Sequence, residues 1–247
     1  MPSAQNRVST VNRLLALVVN VLRRVLRPLV ACGNSWRLHH LYRTPHGRAV
    51  YWDRRVREID QAWGQMTGDY PLLTEILTRL HPSRLLDIGC GSGRLFPLYH
   101  DLHIPEVVGQ DIAEHALAII RTRYAHLPYR LLCCDISALD FPPDAFDLGI
   151  SNRVLMMVPP WEIDATIAHL TNICRALYLN ELTSADASGS VGGYMFLHDY
   201  PDLFARHGFE ITDEGDLEQQ HWYLFTRTAP AGDEPTALTN CAQGIPQ

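Results

Sequence analysis

A chain of 247 residues that is 47% hydrophobic and 19% charged can bury a full core, and one main domain with an appendage is the expectation. All 21 basic residues are arginine, which excludes a lysine nucleophile, a lysine base and Schiff-base chemistry. Residues 1–60 carry a net charge of +8 and the remainder −14, so the larger part lacks the basic face that a nucleic-acid enzyme needs, and no nucleic-acid partner is expected.

Residues 11–30, VNRLLALVVNVLRRVLRPLV, place Asn12, Arg23, Arg27, Asn20, Arg13 and Arg24 on one helical arc of about 120°, opposite a face of Val, Leu and Ala. The apolar run Leu14 to Val19 is far below the roughly 20 residues that cross a bilayer, so a transmembrane helix is excluded. Two uses fit the pattern equally: an interfacial anchor with arginines on anionic headgroups, or a helix packed on its own domain or a second subunit. An Arg-rich segment without acids before Asp53 also has the composition of an organellar transit peptide. A second amphipathic helix is predicted over 48–66. A third runs from Asp69-Tyr70-Pro71 through Leu80, where His81-Pro82 ends it.

From residue 84 strand and helix alternate. Strands are predicted at 84–88, 106–110, 129–134, 146–151 and 175–182, with helices at 93–100, 113–126 and 160–173, which is the pattern of a doubly wound parallel α/β sheet. A Ser/Gly-rich loop (SADASGSVGG) and a short helix at 201–207 lead to strands 209–213 and 221–227, which an acidic connection joins as an antiparallel pair. Residues 228–247 read as a disordered tail. The expected domains are thus an N-terminal helical extension (1–68), the α/β domain (69–227) and the tail (228–247).

The chemistry concentrates where strands end. In Leu85-Leu86-Asp87-Ile88-Gly89-Cys90-Gly91-Ser92-Gly93-Arg94 a hydrophobic strand enters a GxGxG turn, whose glycines accept positive φ and bring main-chain N–H groups close to a ligand. Arg94 stands where a dinucleotide fingerprint has its third glycine, and Asp87 stands where it can meet an ammonium group. Asp111 closes the second strand 22 residues after Gly89. It can accept from both hydroxyls of a ribose, or simply start the helix that follows. Asp135 ends the third strand, where an adenine amino group can donate to it. Asp147 opens the fourth strand and reads as structural, while Ser151-Asn152-Arg153 closes it toward the crevice. Six cysteines form no CxxC pair and no Cys/His spacing suited to zinc. No metal is expected, and a reducing, cytoplasmic setting fits, with peripheral membrane contact through residues 11–30.

These runs, LLDIGCGSG, VVGQD, LLCCDI and FDLGISNRVLMMV in this order and spacing, resemble the class I S-adenosylmethionine-dependent methyltransferases over about residues 70–227. The resemblance implies a Rossmann-like, seven-stranded, mostly parallel sheet with an antiparallel last strand, and S-adenosyl-L-methionine as cofactor. It also implies that Asp87, Gly89, Cys90, Gly91 and Gly93 surround the methionine part, Asp111 and Ile112 the ribose, Asp135 and Ile136 the adenine, and Ser151 or Asn152 the strand-four side.

Methyl transfer to such a cofactor is an in-line displacement, so the protein must position the nucleophile and, when necessary, remove its proton. His198, in Tyr194-Met195-Phe196-Leu197-His198-Asp199-Tyr200, is the candidate base, with Asp199 to orient it; a solvated loop histidine is the plainer alternative. Arg153, Met156 and Tyr194 are candidate acceptor contacts, although Arg153 equally suits an ion pair and Met156-Met157 equally fill core. Tyr51-Trp52-Asp53-Arg54-Arg55 suggest a helical lid. No Asn-Pro-Pro-Tyr type sequence follows the fourth strand, so resemblance to amino-methylating DNA enzymes is absent. The expected acceptor is an oxygen or nitrogen of a small-molecule or lipid-linked compound. A nicotinamide dehydrogenase and a catalytically silent binding module remain as alternatives.

Overall fold

The computed structural model describes residues 43–64, 66–182, 195–217 and 220–228. The predicted segment 11–30, the Ser/Gly-rich loop, Tyr194 and all of the tail beyond Thr228 lie outside the described residues.

Helix α1 (Pro45–Trp63) starts where Thr44 Oγ1 accepts the Gly47 N–H at 3.1 Å and proline supplies the fixed φ of the first turn. Helix α2 (Tyr70–Leu80) ends at His81, which takes a left-handed φ of 45° immediately before Pro82. The alternating region then builds β1 (Arg84–Ile88), α3 (Phe96–Asp101), β2 (Glu106–Asp111), α4 (Glu114–Arg123), β3 (Arg130–Cys133), β4 (Phe146–Asn152), α5 (Ile163–Ile173) and β5 (Cys174–Glu181). Helix α6 (Tyr200–Arg206) and strands β6 (Phe209–Leu217) and β7 (Gln220–Arg227) complete the domain.

The seven strands lie in the order β3-β2-β1-β4-β5-β7-β6. The first five chain-order strands pair in parallel, and β7 runs antiparallel between β5 and β6. Successive strand residues serve opposite faces: Leu86, Ile88, Phe146 and Leu177 join α5 and α6 in one cluster, while Leu85, Leu148 and Tyr178 join α2, α3 and α4 in the other. At the amino edge Asp147 accepts the Ser83 and Arg84 N–H groups, both at 2.9 Å, the structural role read for it.

Several boundaries differ from the sequence pattern, and three of the differences have clear local reasons. Helix α3 begins at 96 instead of 93 because Gly93, at φ 81°, still belongs to the turn. Helix α5 begins at 163 instead of 160 because Pro159 and Pro160 occupy its approach, and Glu162 and Ile163 donate their N–H groups to the Pro159 carbonyl. Strand β6 continues to Leu217 through an irregularity between Ile211 and Asp213. The acids read as a connection instead stand along the strand, paired in register with β7.

Candidate functional site

The parallel strands all direct their carboxyl ends to one edge, which collects Asp87, Asp111, Asp135, Ser151, Asn152 and Glu181. Gly89, Gly91 and Gly93 adopt φ of 62°, 55° and 81°, so the turn after β1 is left-handed three times over. A Cβ at Gly89 would lie 2.5 Å from Val154 Cγ2 and one at Gly93 2.9 Å from Ile120 Cγ1, whereas one at Gly91 would meet nothing within 4 Å. The middle glycine therefore faces open space while its neighbours are packed against other elements.

Two residues of the second strand hold that turn. Asp111 Oδ2 accepts the Gly91 N–H at 2.9 Å, and its Oδ1 accepts the Ala113 N–H at 2.8 Å. Asp111 thus ties the glycine turn to the approach of α4, whose N-cap is Ala113 with no side-chain cap. Gln110, buried within β2, accepts the Gly89 N–H at 3.1 Å and donates to the Cys134 carbonyl at 2.6 Å. Its role was not foreseen, although a polar residue inside a buried strand was the available signal. The Cys90 N–H donates to the Gln110 carbonyl, and burial pushes the Cys90 thiol well up, so it stays protonated.

Asp87 is 3% exposed, and burial, with Asp111 and Asp69 nearby, pushes its carboxyl up to about 7 against the pull of Arg94. A cationic ligand group beside it would restore the charged form. Burial also raises Asp111, opposed by the amides of Ala113, Gly91 and Ile112. Arg94 does not reach Asp87; it forms a two-pronged bond with Asp69 at 2.6 and 2.7 Å and donates to the Met66 carbonyl at 2.8 Å. Asn152 Nδ2 joins the same Asp69 carboxylate at 2.6 Å. Burial opposes ionisation of Asp69, yet Arg94 and Asn152 outweigh it and hold the group below its ordinary range. The residue that departs from the dinucleotide fingerprint is therefore anchored to the start of α2.

At the third strand Asp135 Oδ1 accepts from the N–H and hydroxyl of Ser137, at 3.0 and 2.7 Å, and Oδ2 accepts from Arg48 Nη2 at 3.0 Å. Arg48, carried by α1, also grips both oxygens of Glu162, at 3.1 and 2.8 Å. Burial opposes ionisation of Asp135, but the Ser137 and Arg48 bonds prevail and lower its pKa. Ile136 turns into the core. Helix α1 is fixed further by Asp53 on the His115 N–H (2.8 Å), by Asp60 on Arg123 (3.0 and 2.7 Å), and by Val56 packed with Ala113 and Ala116. The segment read as a lid thus lies along α4, with Arg48 reaching Asp135.

Two expectations are corrected here. The Ser151 hydroxyl, expected toward the pocket, is fully buried and donates to Glu181 Oε1 at 2.6 Å, because Glu181 ends the neighbouring strand two residues beyond Leu179, the register partner of Ser151. Asp199 does not orient His198; it accepts the Asp202 N–H at 3.1 Å and caps α6. His198 is buried, with Nε2 2.9 Å from the Val158 carbonyl, and burial lowers its pKa. Backbone hydrogen bonds to Val158 and Leu155 oppose that lowering. Arg153 takes a left-handed φ of 63° at the bend after β4, and its Nε donates to Gln220 Oε1 at 3.0 Å. Met156 is buried, and its carbonyl accepts the Phe196 N–H at 2.7 Å.

Residues 85–176 match a family described as a methyltransferase domain. The match supports a class I S-adenosylmethionine-dependent methyltransferase domain over this segment. Among curated relatives, it is 30% identical over 128 residues to EEF1A lysine methyltransferase 4 of Bos taurus, covering 48% of this chain and 50% of that protein. It is 38% identical over 79 residues to malonyl-[acyl-carrier protein] O-methyltransferase of Halorhodospira halophila, covering 31% and 27%. The first of these matches spans about half the relative's length, and the second about a quarter. Among solved structures, the methyltransferase fold is shared with 1,6-didemethyltoxoflavin-N1-methyltransferase of Burkholderia thailandensis, at TM-score 0.62 and 17% identity over 75% of this chain and 91% of that one. The family's cofactor is S-adenosylmethionine, and solved neighbours hold it or S-adenosylhomocysteine. Among the described residues no helix is long and apolar enough to cross a membrane, and no cluster of His, Cys, Asp and Glu is suited to a metal ion.

Proposed function

We propose that this methyltransferase domain binds S-adenosylmethionine across the β1, β2 and β3 ends and transfers its methyl group to an oxygen or nitrogen of a small-molecule or lipid-linked acceptor. The observation that carries the binding reading is Gly91, left-handed, with open space where its Cβ would be and its N–H held by the Asp111 carboxylate. Asp111 would receive the ribose hydroxyls, Asp87 the ammonium group, and Asp135 the adenine amino group through the lone pair of Oδ2 that Arg48 leaves. The cofactor supplies an activated methyl carbon; the chain orients the acceptor against it and excludes water. Buried His198 is the candidate to take the acceptor's proton when the acceptor carries one.

The curated relatives favour a second acceptor class, a protein lysine, and the net charge of −14 beyond residue 60 would attract a cationic side chain. Cytoplasmic residence, with membrane contact through residues 11–30, suits the lipid-linked reading. The test supplies the full chain with methyl-tritiated S-adenosylmethionine and three acceptor pools: solvent-extracted lipid, small metabolites with acyl carrier protein, and protein. Label is expected in the first two pools and absent with Asp111→Ala. Label in protein lysine would replace the acceptor class, and turnover in no pool would leave a silent binding module.

A further inference from the structure

Glu181 ends β5 with no exposed surface, and its carboxylate takes four donors: the Ser151 hydroxyl at 2.6 Å and the N–H groups of Val154, Leu155 and Met156 at 3.0, 3.0 and 3.2 Å. Three successive amides converging on one carboxylate fix the turn after β4. That turn touches both sides of the site. Val154 lies directly over Gly89, so close that a Cβ there would be 2.5 Å from it, and the Met156 and Val158 carbonyls receive the Phe196 N–H and His198 Nε2.

We propose that Glu181 is the positioning residue that couples the two halves of this site: by clasping residues 154–156 it presses Val154 against the glycine turn and sets the height of the His198 segment. The inference rests on the reading of the glycine turn as the cofactor cradle. Glu181 touches neither cofactor nor acceptor and acts through the backbone it holds. A buried acid would be costly in a merely structural place, where an apolar residue packs as well, and four donors converging on it mark a turn held to one geometry.

Glu181→Gln tests this, because glutamine keeps the shape but offers one acceptor oxygen and turns an N–H2 toward backbone donors. Glu181→Asp, too short to reach the turn, and Val154→Ala, which removes the contact on Gly89 from the other side, are made alongside. Leu77→Ala, in the core on the opposite sheet face, controls for lost stability. Amide hydrogen exchange is read at residues 154–156, and S-adenosylhomocysteine affinity by calorimetry. Expected are faster exchange at the three amides in the Glu181 variants and about a tenfold weaker affinity in Glu181→Gln, Glu181→Asp and Val154→Ala, with Leu77→Ala binding like the wild type. Wild-type affinity in Glu181→Gln despite rapid exchange overturns the inference alone. Equal weakening in Leu77→Ala overturns it too, since lost stability would then suffice. Absence of binding by the wild type overturns the cofactor reading and this inference with it.

Discussion

The glycine turn makes two alanine substitutions behave in opposite ways. At Gly91, φ of 55° leaves alanine about 1–2 kcal/mol of left-handed strain, but its methyl group would project into space empty to 4 Å. At Gly89, φ of 62° brings the same strain, and the methyl group would sit 2.5 Å from a Val154 side chain whose backbone Glu181 holds in place, adding about 1–3 kcal/mol of overpacking. Gly89→Ala should therefore lose about 2–5 kcal/mol and Gly91→Ala about 1–2 kcal/mol, read as a fall in Tm of about 2–4 °C per kcal/mol for a domain of this size. Cofactor affinity should separate differently: if the empty space is the cradle, the alanine methyl at 91 occupies it and weakens S-adenosylhomocysteine binding about 10- to 100-fold. Calorimetric melts and titrations of the two variants read both quantities. A Gly91→Ala variant that binds like the wild type, or that unfolds more readily than Gly89→Ala, would refute the reasoning.

Asp69→Asn leaves the Arg94 guanidinium buried without its carboxylate and should lose about 3–5 kcal/mol in urea melts; the double change Asp69→Asn with Arg94→Met should lose less than the two singles combined, and additivity would contradict the ion pair. The Asp87 carboxyl, raised by burial to about 7 from 3.8, contributes stability present below about pH 4 and lost as pH rises through 7. Relative to the wild type, Asp87→Asn should therefore gain up to about 4 kcal/mol between pH 4 and pH 8, whereas parallel stability curves would contradict the shift. Residues 11–30 should carry the full chain onto vesicles of anionic lipid and not onto neutral ones; equal flotation of residues 31–247 would end the anchor reading.

What the sequence made legible is what one strand end can show by itself. Three glycines at alternate positions, an acid ahead of them, and acids closing the next two strands each carry a local physical reason, so the strand edge that gathers these residues could be read in advance, and the strand–helix alternation gave the doubly wound sheet. Glu181 carried the same mark, an acid closing a hydrophobic strand at the same edge, and the reading of 175–182 as a strand passed over it. Gln110 stood out only as a polar residue in an apolar run. The pairings of Arg94 with Asp69, Arg48 with Asp135 and Glu162, and Ser151 with Glu181 span 25 to 114 residues of chain, and no local pattern records which distant partner a side chain will meet. His198 could be placed at the edge by its position before α6, but its partner, the Val158 carbonyl, is set by how two loops pack together.

The most direct test of the account is calorimetric titration of the full chain with S-adenosylhomocysteine and, separately, with NAD, for the wild type and Asp111→Ala. One site for S-adenosylhomocysteine, none for NAD, and loss of the first on removing the carboxylate that holds the Gly91 N–H is the predicted result. Binding of NAD in its place, or S-adenosylhomocysteine binding that survives Asp111→Ala unchanged, would contradict it.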